Sequence, residues 1–359
     1  MMERLAILGA GGFIGNRAVE MLYLGGRHEV RPVVRAAQSL ALASRFPLEG
    51  RVADGRDEAA LAEAFQGCSS VLHAIAGDLQ TIVGSIEPVY RAAQAAGVKR
   101  IVYLSSASVH GQSPAPNTTE QTPLSRRQPI AYNNAKVEAE ERLLSLRQQG
   151  GVEVVILRPG IVHGPRSFWV GGFADDLLAG QAYLVDGGVG ICNGIYVDNL
   201  VHAVALAIAS DIADGEAYLL GDSETYSWHD LLAPVGEVLG YPLAELQPPV
   251  AEEPRGILRR LLNDGTLKGI ARRFPRPIKA ALKAGMREMA VSRAGAAGQG
   301  AASAPPVASL EMSLLHRCAW KLQHAKATRE LGYEPVVTFP EAQRRTLAWL
   351  QFAGYPVNR

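Results

Sequence analysis

Apolar residues in the first half of the chain fall into short continuous runs, separated by stretches with helical spacing. Residues 4–8 (Arg-Leu-Ala-Ile-Leu) form the first run and predict a buried strand. Glycines crowd positions 9–15, and Ile14, Ala18, Met21 and Leu22 then recur at the spacing of a helix over 14–24. A second strand is predicted at 29–34, although Pro32 fits poorly in an inner strand because it has no N–H to donate. The alternation continues with strands at 51–53, 70–75, 100–105 and 153–157, and helices at 58–66, 81–96 and 131–149. Strands regularly alternating with helices predict a Rossmann-type, doubly wound α/β fold built on a parallel sheet.

Beyond residue 158 the pattern loosens into shorter pieces divided by Gly and Pro. Residues 195–197 read as a strand end running into an apolar helix that reaches 209, and 217–220 as another strand. The expected organisation is a first domain over 1–165, to which the chain returns at about 195–215, and a smaller α/β lobe over 166–359. Within that lobe, 255–290 holds ten Lys or Arg and two acids. Ile278, Ala281, Leu282 and Met286 form one stripe there, and Lys279, Lys283 and Arg287 another, which is the pattern of a basic amphipathic helix. It reads either as a solvated face packed on the lobe or as a contact for a membrane surface or an apolar partner. Residues 292–306 lack the large apolar groups that offset ordering entropy and predict a mobile loop. Order is expected again from 310, with a short helix at 324–331 and a last one at 340–352.

Composition narrows the classes. The formal charge is +1, so no global field favours nucleic acid. Cys68, Cys192 and Cys318 are odd in number and far apart, which suits reduced thiols, and no His, Cys or acidic pattern has metal-ligand spacing. The first strand begins within five residues of Met1 and no uncharged apolar run approaches about 18 residues, so a cytoplasmic protein is expected.

The candidate chemistry starts at Gly9-Ala10-Gly11-Gly12-Phe13-Ile14-Gly15. A glycine triplet alone is a common pattern. Between a strand and a helix it makes a tight turn, lets the backbone approach a pyrophosphate, and packs the helix on the strand. The helix N-terminus then offers free N–H groups to the phosphates. At the end of the second strand a carboxylate would hold the ribose 2′-hydroxyl of NAD(H), but the chain reads Val34-Arg35-Ala36-Ala37. Arg35 could pair with a 2′-phosphate, which favours NADP(H); it could equally be a solvated charge. Asp54 could reach the adenine amino group or serve a local turn. Ala74 and Ala76 would let the backbone run along the nicotinamide ribose.

Tyr132-Asn133-Asn134-Ala135-Lys136 opens a helix with the phenol and the ammonium four residues apart on one face. A phenol with its usual pKa near 10 is a poor base at neutral pH, and an adjacent ammonium would lower it. Ser105 and Ser106 end the preceding strand, on the edge where such sheets bind ligands. A serine there could hold a substrate oxygen while Tyr132 moves the proton and the nicotinamide the hydride. The alternative for the Tyr-Lys pair is an ordinary surface helix.

In this order the residues resemble the extended short-chain dehydrogenase/reductase family, also called the NAD-dependent epimerase/dehydratase family. The resemblance spans roughly 4–222. It rests on Gly9–Gly15, Leu104–Gly111, Tyr132–Lys136, Leu157–Pro165 and Ile195–Leu200. It implies that Ser106, Tyr132 and Lys136 are catalytic, with Ser106 favoured over Ser105 because the family's hydroxyl directly precedes an Ala-Ser/Thr-Val step. It implies too that Pro159 lines the nicotinamide. His110 and His163 stand where the family usually carries tyrosine and read as packing positions. A homodimer through the helices at 81–96 and 131–149 is a further implication.

The resemblance also implies which reaction to expect. The family's sugar-nucleotide dehydratases carry Asp-Glu after the active hydroxyl, whereas this chain has Ala107-Ser108. Many of its epimerases carry Arg before the strand that begins here at Ile195; the chain reads Gly190–Gly194 without a cation, unless Arg166 or the basic segment substitutes. The Tyr196–Leu200 run looks closer to branches that act on apolar ketones and alcohols. Phe168, Trp169, Phe173, Leu177 and Leu178 would suit an apolar small-molecule substrate or ordinary core packing. The expected activity is therefore interconversion of a ketone and a secondary alcohol with NADP(H) or NAD(H). A nucleotide-sugar epimerase with tightly held NAD is the alternative, and a cofactor-binding scaffold without catalysis a third.

Overall fold

The computed structural model describes residues 3–251 and 305–358. In chain order come β1 (Glu3–Leu8), α1 (Phe13–Leu24), β2 (His28–Val34), β3 (Arg51–Val52), α2 (Glu58–Phe65), β4 (Ser70–His73), α3 (Leu79–Gly84), α4 (Ile86–Ala95) and β5 (Arg100–Leu104). The chain continues through α5 (Ala131–Gln148), β6 (Glu153–Pro159), β7 (Ile161–His163), α6 (Phe168–Leu178), β8 (Gly194–Tyr196), α7 (Val197–Ala209), β9 (Ala217–Leu220), α8 (Trp228–Leu239) and β10 (Val250–Ala251). From residue 305 on, β11 (Val307–Ala308), α9 (Leu310–His316), α10 (Ala325–Leu331) and α11 (Phe339–Phe352) complete it. The basic amphipathic helix expected over 255–290, and all but residues 305 and 306 of the loop expected over 292–306, fall outside the described residues.

Seven strands form one sheet in the order β3-β2-β1-β4-β5-β6-β9, with every pair parallel. Each central strand feeds two cores, because successive side chains point to opposite faces. Leu5, Ile7, Val102, Leu104, Val155 and Leu157 pack against α1, α7 and α10. Ala6, Leu8, Ile101, Tyr103, Val154 and Ile156 pack against α2, α4 and α5. That two-sided burial is why these strands read as unbroken apolar runs. Strand order reverses between β1 and β4, so loops leaving their carboxyl ends diverge and open a crevice there.

Two predicted elements differ in detail. Pro32 does lie within β2, but β3 pairs only with Val33 and Val34. At Pro32 the strand is therefore paired on one side only, by β1, which is where proline is tolerated. The single helix expected at 81–96 is two helices meeting at Ser85. Pro88 in the first turn of α4 has no N–H to continue the helical ladder from α3.

The chain after residue 305 is fastened by side chains that hydrogen-bond to its backbone. Asn193 donates to Trp320 O at 2.9 Å and accepts from Leu322 N at 2.8 Å. Trp228 Nε1 donates to Leu315 O at 3.0 Å. Asn199, wholly buried, donates to Val337 O and accepts from Val337 N, both at 2.8 Å, and also donates to Asp222. Among the described residues no helix is long and apolar enough to cross a membrane. Replacing Asn199 with Ala would leave the Val337 amide and carbonyl buried without partners. We expect Asn199→Ala to lower unfolding free energy by about 2–3 kcal/mol, read as a reduced denaturation midpoint at unchanged slope.

Candidate active site

At the crevice between β1 and β4 the turn after β1 is built by steric necessity. Gly9 adopts φ +92°, and a Cβ there would lie 2.6 Å from Ala74 O. A Cβ on Gly15 would lie 2.3 Å from Gly9 O, so only glycine lets α1 sit this close to the turn. Gly12 caps α1 without any side-chain hydrogen bond, and the first turn carries no acid. Its leading N–H groups are thus left for an anion, and Phe13 and Ile14 line the cleft beside it. These features fit the phosphates of a dinucleotide.

The cleft has a volume of about 1150 Å³. Ala74, Ala76, Ser106, Tyr132, Lys136 and Pro159 all line it, so eight of the predicted positions, with Phe13 and Ile14, share one wall system. Arg35 does not reach the cleft. It is exposed at the end of β2, and no carboxylate pairs with it among the described residues. Asp54 lies outside the cleft as well and is engaged in its own turn: Oδ1 accepts from Arg56 N at 3.0 Å and pairs with the Arg56 guanidinium. That local turn is the alternative the sequence had left open for it.

The two serines have separate duties. Ser105 is buried and donates to Glu140 of α5. Ser106 accepts a hydrogen bond from Ser108 N at 3.2 Å and bonds the Tyr132 phenol. Glu140 is buried too and is held by Arg158 of β6 through Nη2 at 2.7 Å and Nε at 3.1 Å. Arg158 reaches Glu120 O and His110 Nε2 with its third nitrogen. Burial, then the Arg158 charge, pulls the His110 pKa down to about 4, so His110 is a neutral packing partner at neutral pH. His163 is buried against Asp222 and Tyr226, at 3.1 and 3.0 Å, away from the cleft.

Lys136 is buried, donating to Leu104 O at 2.7 Å and Tyr103 OH at 3.3 Å. Desolvation pushes its pKa down to about 8, and the Glu140 carboxylate one turn on partly offsets this. Its ammonium stands 6.0 Å from the Tyr132 ring centroid. The expected lowering of the phenol by this ammonium is not what the structure gives. Tyr132 keeps 36 % of its surface exposed in the cleft, yet desolvation around its hydroxyl pushes the phenol up to about 12. The Ser106 hydrogen bond opposes that rise and the Glu311 carboxylate adds to it.

Glu311 carries no signal in the sequence. It enters the cleft from α9, some 200 positions after Ser106, and accepts from Gln112 Nε2 at 2.6 Å. Burial raises its pKa, and the Gln112 bond lowers it. Asp175, Asp176, Trp349 and Tyr355 reach the cleft from equally unmarked positions. Of the five apolar candidates, Phe168 and Trp169 line the cleft, while Leu177 is buried in the core with Phe173 and Leu178 packed on it. Gln112 and Glu140 could have been found from local pattern, the first directly after Gly111 and the second four residues beyond Lys136 on the same helical face.

Residues 5–221 match the model of the NAD dependent epimerase/dehydratase family. A 3-beta-hydroxysteroid dehydrogenase of Mycolicibacterium neoaurum is 26 % identical over 97 % of this chain and 91 % of its own length. A 3beta-hydroxysteroid-dehydrogenase/decarboxylase of Arabidopsis thaliana is 27 % identical over 95 % of this chain, which spans only 61 % of that relative. Among solved structures, a double mutant of a dTDP-glucose 4,6-dehydratase from Streptomyces venezuelae with NAD bound superposes at a TM-score of 0.70, with 97 % of each chain covered and 21 % identity.

If Glu311 bears on Tyr132 through its charge, removing that charge favours phenolate. We expect the Tyr132 titration in Glu311→Gln to move to lower pH. The measurement is phenolate absorbance, using Tyr132→Phe to isolate the signal; an unmoved transition would show that the two groups are not coupled.

Proposed function

The chain belongs to the NAD-dependent epimerase/dehydratase family, and from that premise we propose that it is an NAD(P)-dependent oxidoreductase interconverting an apolar secondary alcohol and its ketone. The observation that carries this reading is the aromatic lining of the cleft by Phe168, Trp169 and Trp349. Asp175, Asp176 and Glu311 line the same cleft as these rings. Among the described lining residues the cations are Lys136, engaged at β5, and Arg166, bonded to Asn16 of α1. A neutral apolar ring would gain from burial against the aromatic wall. The relatives named for 3β-hydroxysteroids support the same substrate class, and a 3β-hydroxysteroid is the first compound to try.

Bound nicotinamide would supply or accept the hydride. Ser106 and Tyr132 would hold the substrate oxygen between their hydroxyls. With its pKa at about 12 the phenol is protonated at neutral pH, so it is poised to give its proton to the oxygen of a ketone being reduced. Oxidation requires the reverse transfer and is favoured as the pH rises. Lys136 would orient the nicotinamide ribose and hold positive charge below Tyr132. The turn at Gly9, Gly12 and Gly15 would take the pyrophosphate, with Ala74, Ala76 and Pro159 along the nicotinamide half. Arg35, exposed and free of a carboxylate partner among the described residues, favours NADP(H), and Asp54 is the less favoured adenine contact because of its turn.

Two measurements test this. Tyr132→Phe should lower turnover of a 3β-hydroxysteroid about 10²- to 10⁴-fold while dinucleotide binding persists; undiminished turnover would remove Tyr132 from the mechanism. Titration of the stripped protein with NADPH and NADH should show preference for NADPH. That preference should shrink about tenfold in Arg35→Gln, with NADH affinity unchanged. Tightly retained NAD with no net redox turnover would instead favour a nucleotide-sugar epimerase.

A further inference from the structure

Arg166 lies in the loop between β7 and α6 with φ +71°, one of three described non-glycine residues at positive φ. The other two are Asn117 and Asp186, whose short polar side chains tolerate that region; arginine has no such advantage. Backbone strain of this kind persists where the surroundings or a function hold it. The side chain is directed by one hydrogen bond, from Nη1 to Asn16 Oδ1 at 2.6 Å. Asn16 is itself buried, the fourth residue of α1 and one turn from the uncapped Gly12.

The guanidinium lines the cleft and has no ion pair among the described residues. The carboxylate that acts on it, Glu20, is already paired with Arg17 at 2.7 Å and Arg45 at 3.1 Å. Partial burial of the guanidinium, then the Arg45 charge, lowers its pKa, while the residue as a whole stays exposed to the cleft. The first turn of α1, which has no side-chain cap, lines the same cleft through Phe13 and Ile14. A diphosphate lying on that turn would meet helix N–H groups from one side and a planar fork of donors from the other.

We propose that Arg166 is a cofactor clamp that reaches from the β7–α6 loop across the first turn of α1 and holds the pyrophosphate of the dinucleotide. It would tie the second lobe to the cofactor, with Asn16 setting the direction of the guanidinium. This rests on the reading that the glycine turn takes a dinucleotide. The same chemistry could serve the diphosphate of a sugar nucleotide, and the test separates the two.

The test compares the parent, Arg166→Gln and Arg166→Gly by fluorescence titration with NADH and NADPH in the absence of substrate, together with thermal unfolding. Both variants should lose about tenfold or more in affinity for both dinucleotides, in keeping with loss of a charge-assisted pair. Arg166→Gly should unfold no lower than the parent, because glycine accepts φ +71° without strain. A lowered melting temperature with unchanged dinucleotide affinity would make Arg166 a structural residue and overturn the proposal. Unchanged dinucleotide affinity with loss of UDP-glucose binding would also overturn it, by assigning the guanidinium to a sugar nucleotide. If the parent itself bound neither dinucleotide, the underlying cofactor reading would fail, and this is distinguishable because the parent alone reveals it.

Discussion

Where α5 crosses β5 and β6, the side chains of Lys136, Glu140 and Arg158 are buried together. Removing such ions from water costs several kcal/mol each unless every donor and acceptor is met. Here Leu104 O and Tyr103 OH meet the ammonium, Ser105 and Arg158 meet the carboxylate, and Glu120 O takes the remaining guanidinium nitrogen. These partners lie on two strands, one helix and one loop, so they fix the rotation of α5 about its axis. Lys136 pointing inward puts Tyr132, one turn earlier, at the cleft wall. Ser105 pointing at Glu140 leaves the neighbouring Ser106 facing Tyr132. The geometry of the hydroxyl pair is thus a consequence of a buried charge network that touches no ligand.

The cleft wall carries charged groups of both signs. The uncapped first turn of α1 and Arg166 share its wall with carboxylates and aromatic rings. Part of that lining comes from the chain's return after residue 305. The return is pinned by Asn193, Asn199 and Trp228, and it brings Glu311, Trp349 and Tyr355 to residues encoded far earlier. The Gln112–Glu311 bond joins the loop after Ser106 to this returning segment. Proton affinity at Tyr132 therefore answers to both halves of the molecule, being raised by burial and by Glu311 and lowered by Ser106. Asp198 shows the same economy, since it binds Arg17 of α1 and Arg345 of α11 at once.

The sequence by itself determined the parallel sheet, because strands covered on both faces must be apolar throughout and the helices between them must show a periodic stripe. It determined the glycine turn and the order of Ser106, Tyr132 and Lys136, since each depends on residues close in the chain. Tertiary structure alone decided that Pro32 sits where β2 lacks its outer neighbour, that Asp54 is engaged by its own turn, and that the Tyr132 phenol is raised and not lowered. It alone brought Glu311 to Gln112 and Arg166 to Asn16, across 199 and 150 positions. The reason is physical: periodicity and turn chemistry act over a few residues, whereas desolvation and charge depend on which distant side chains share a low-dielectric space.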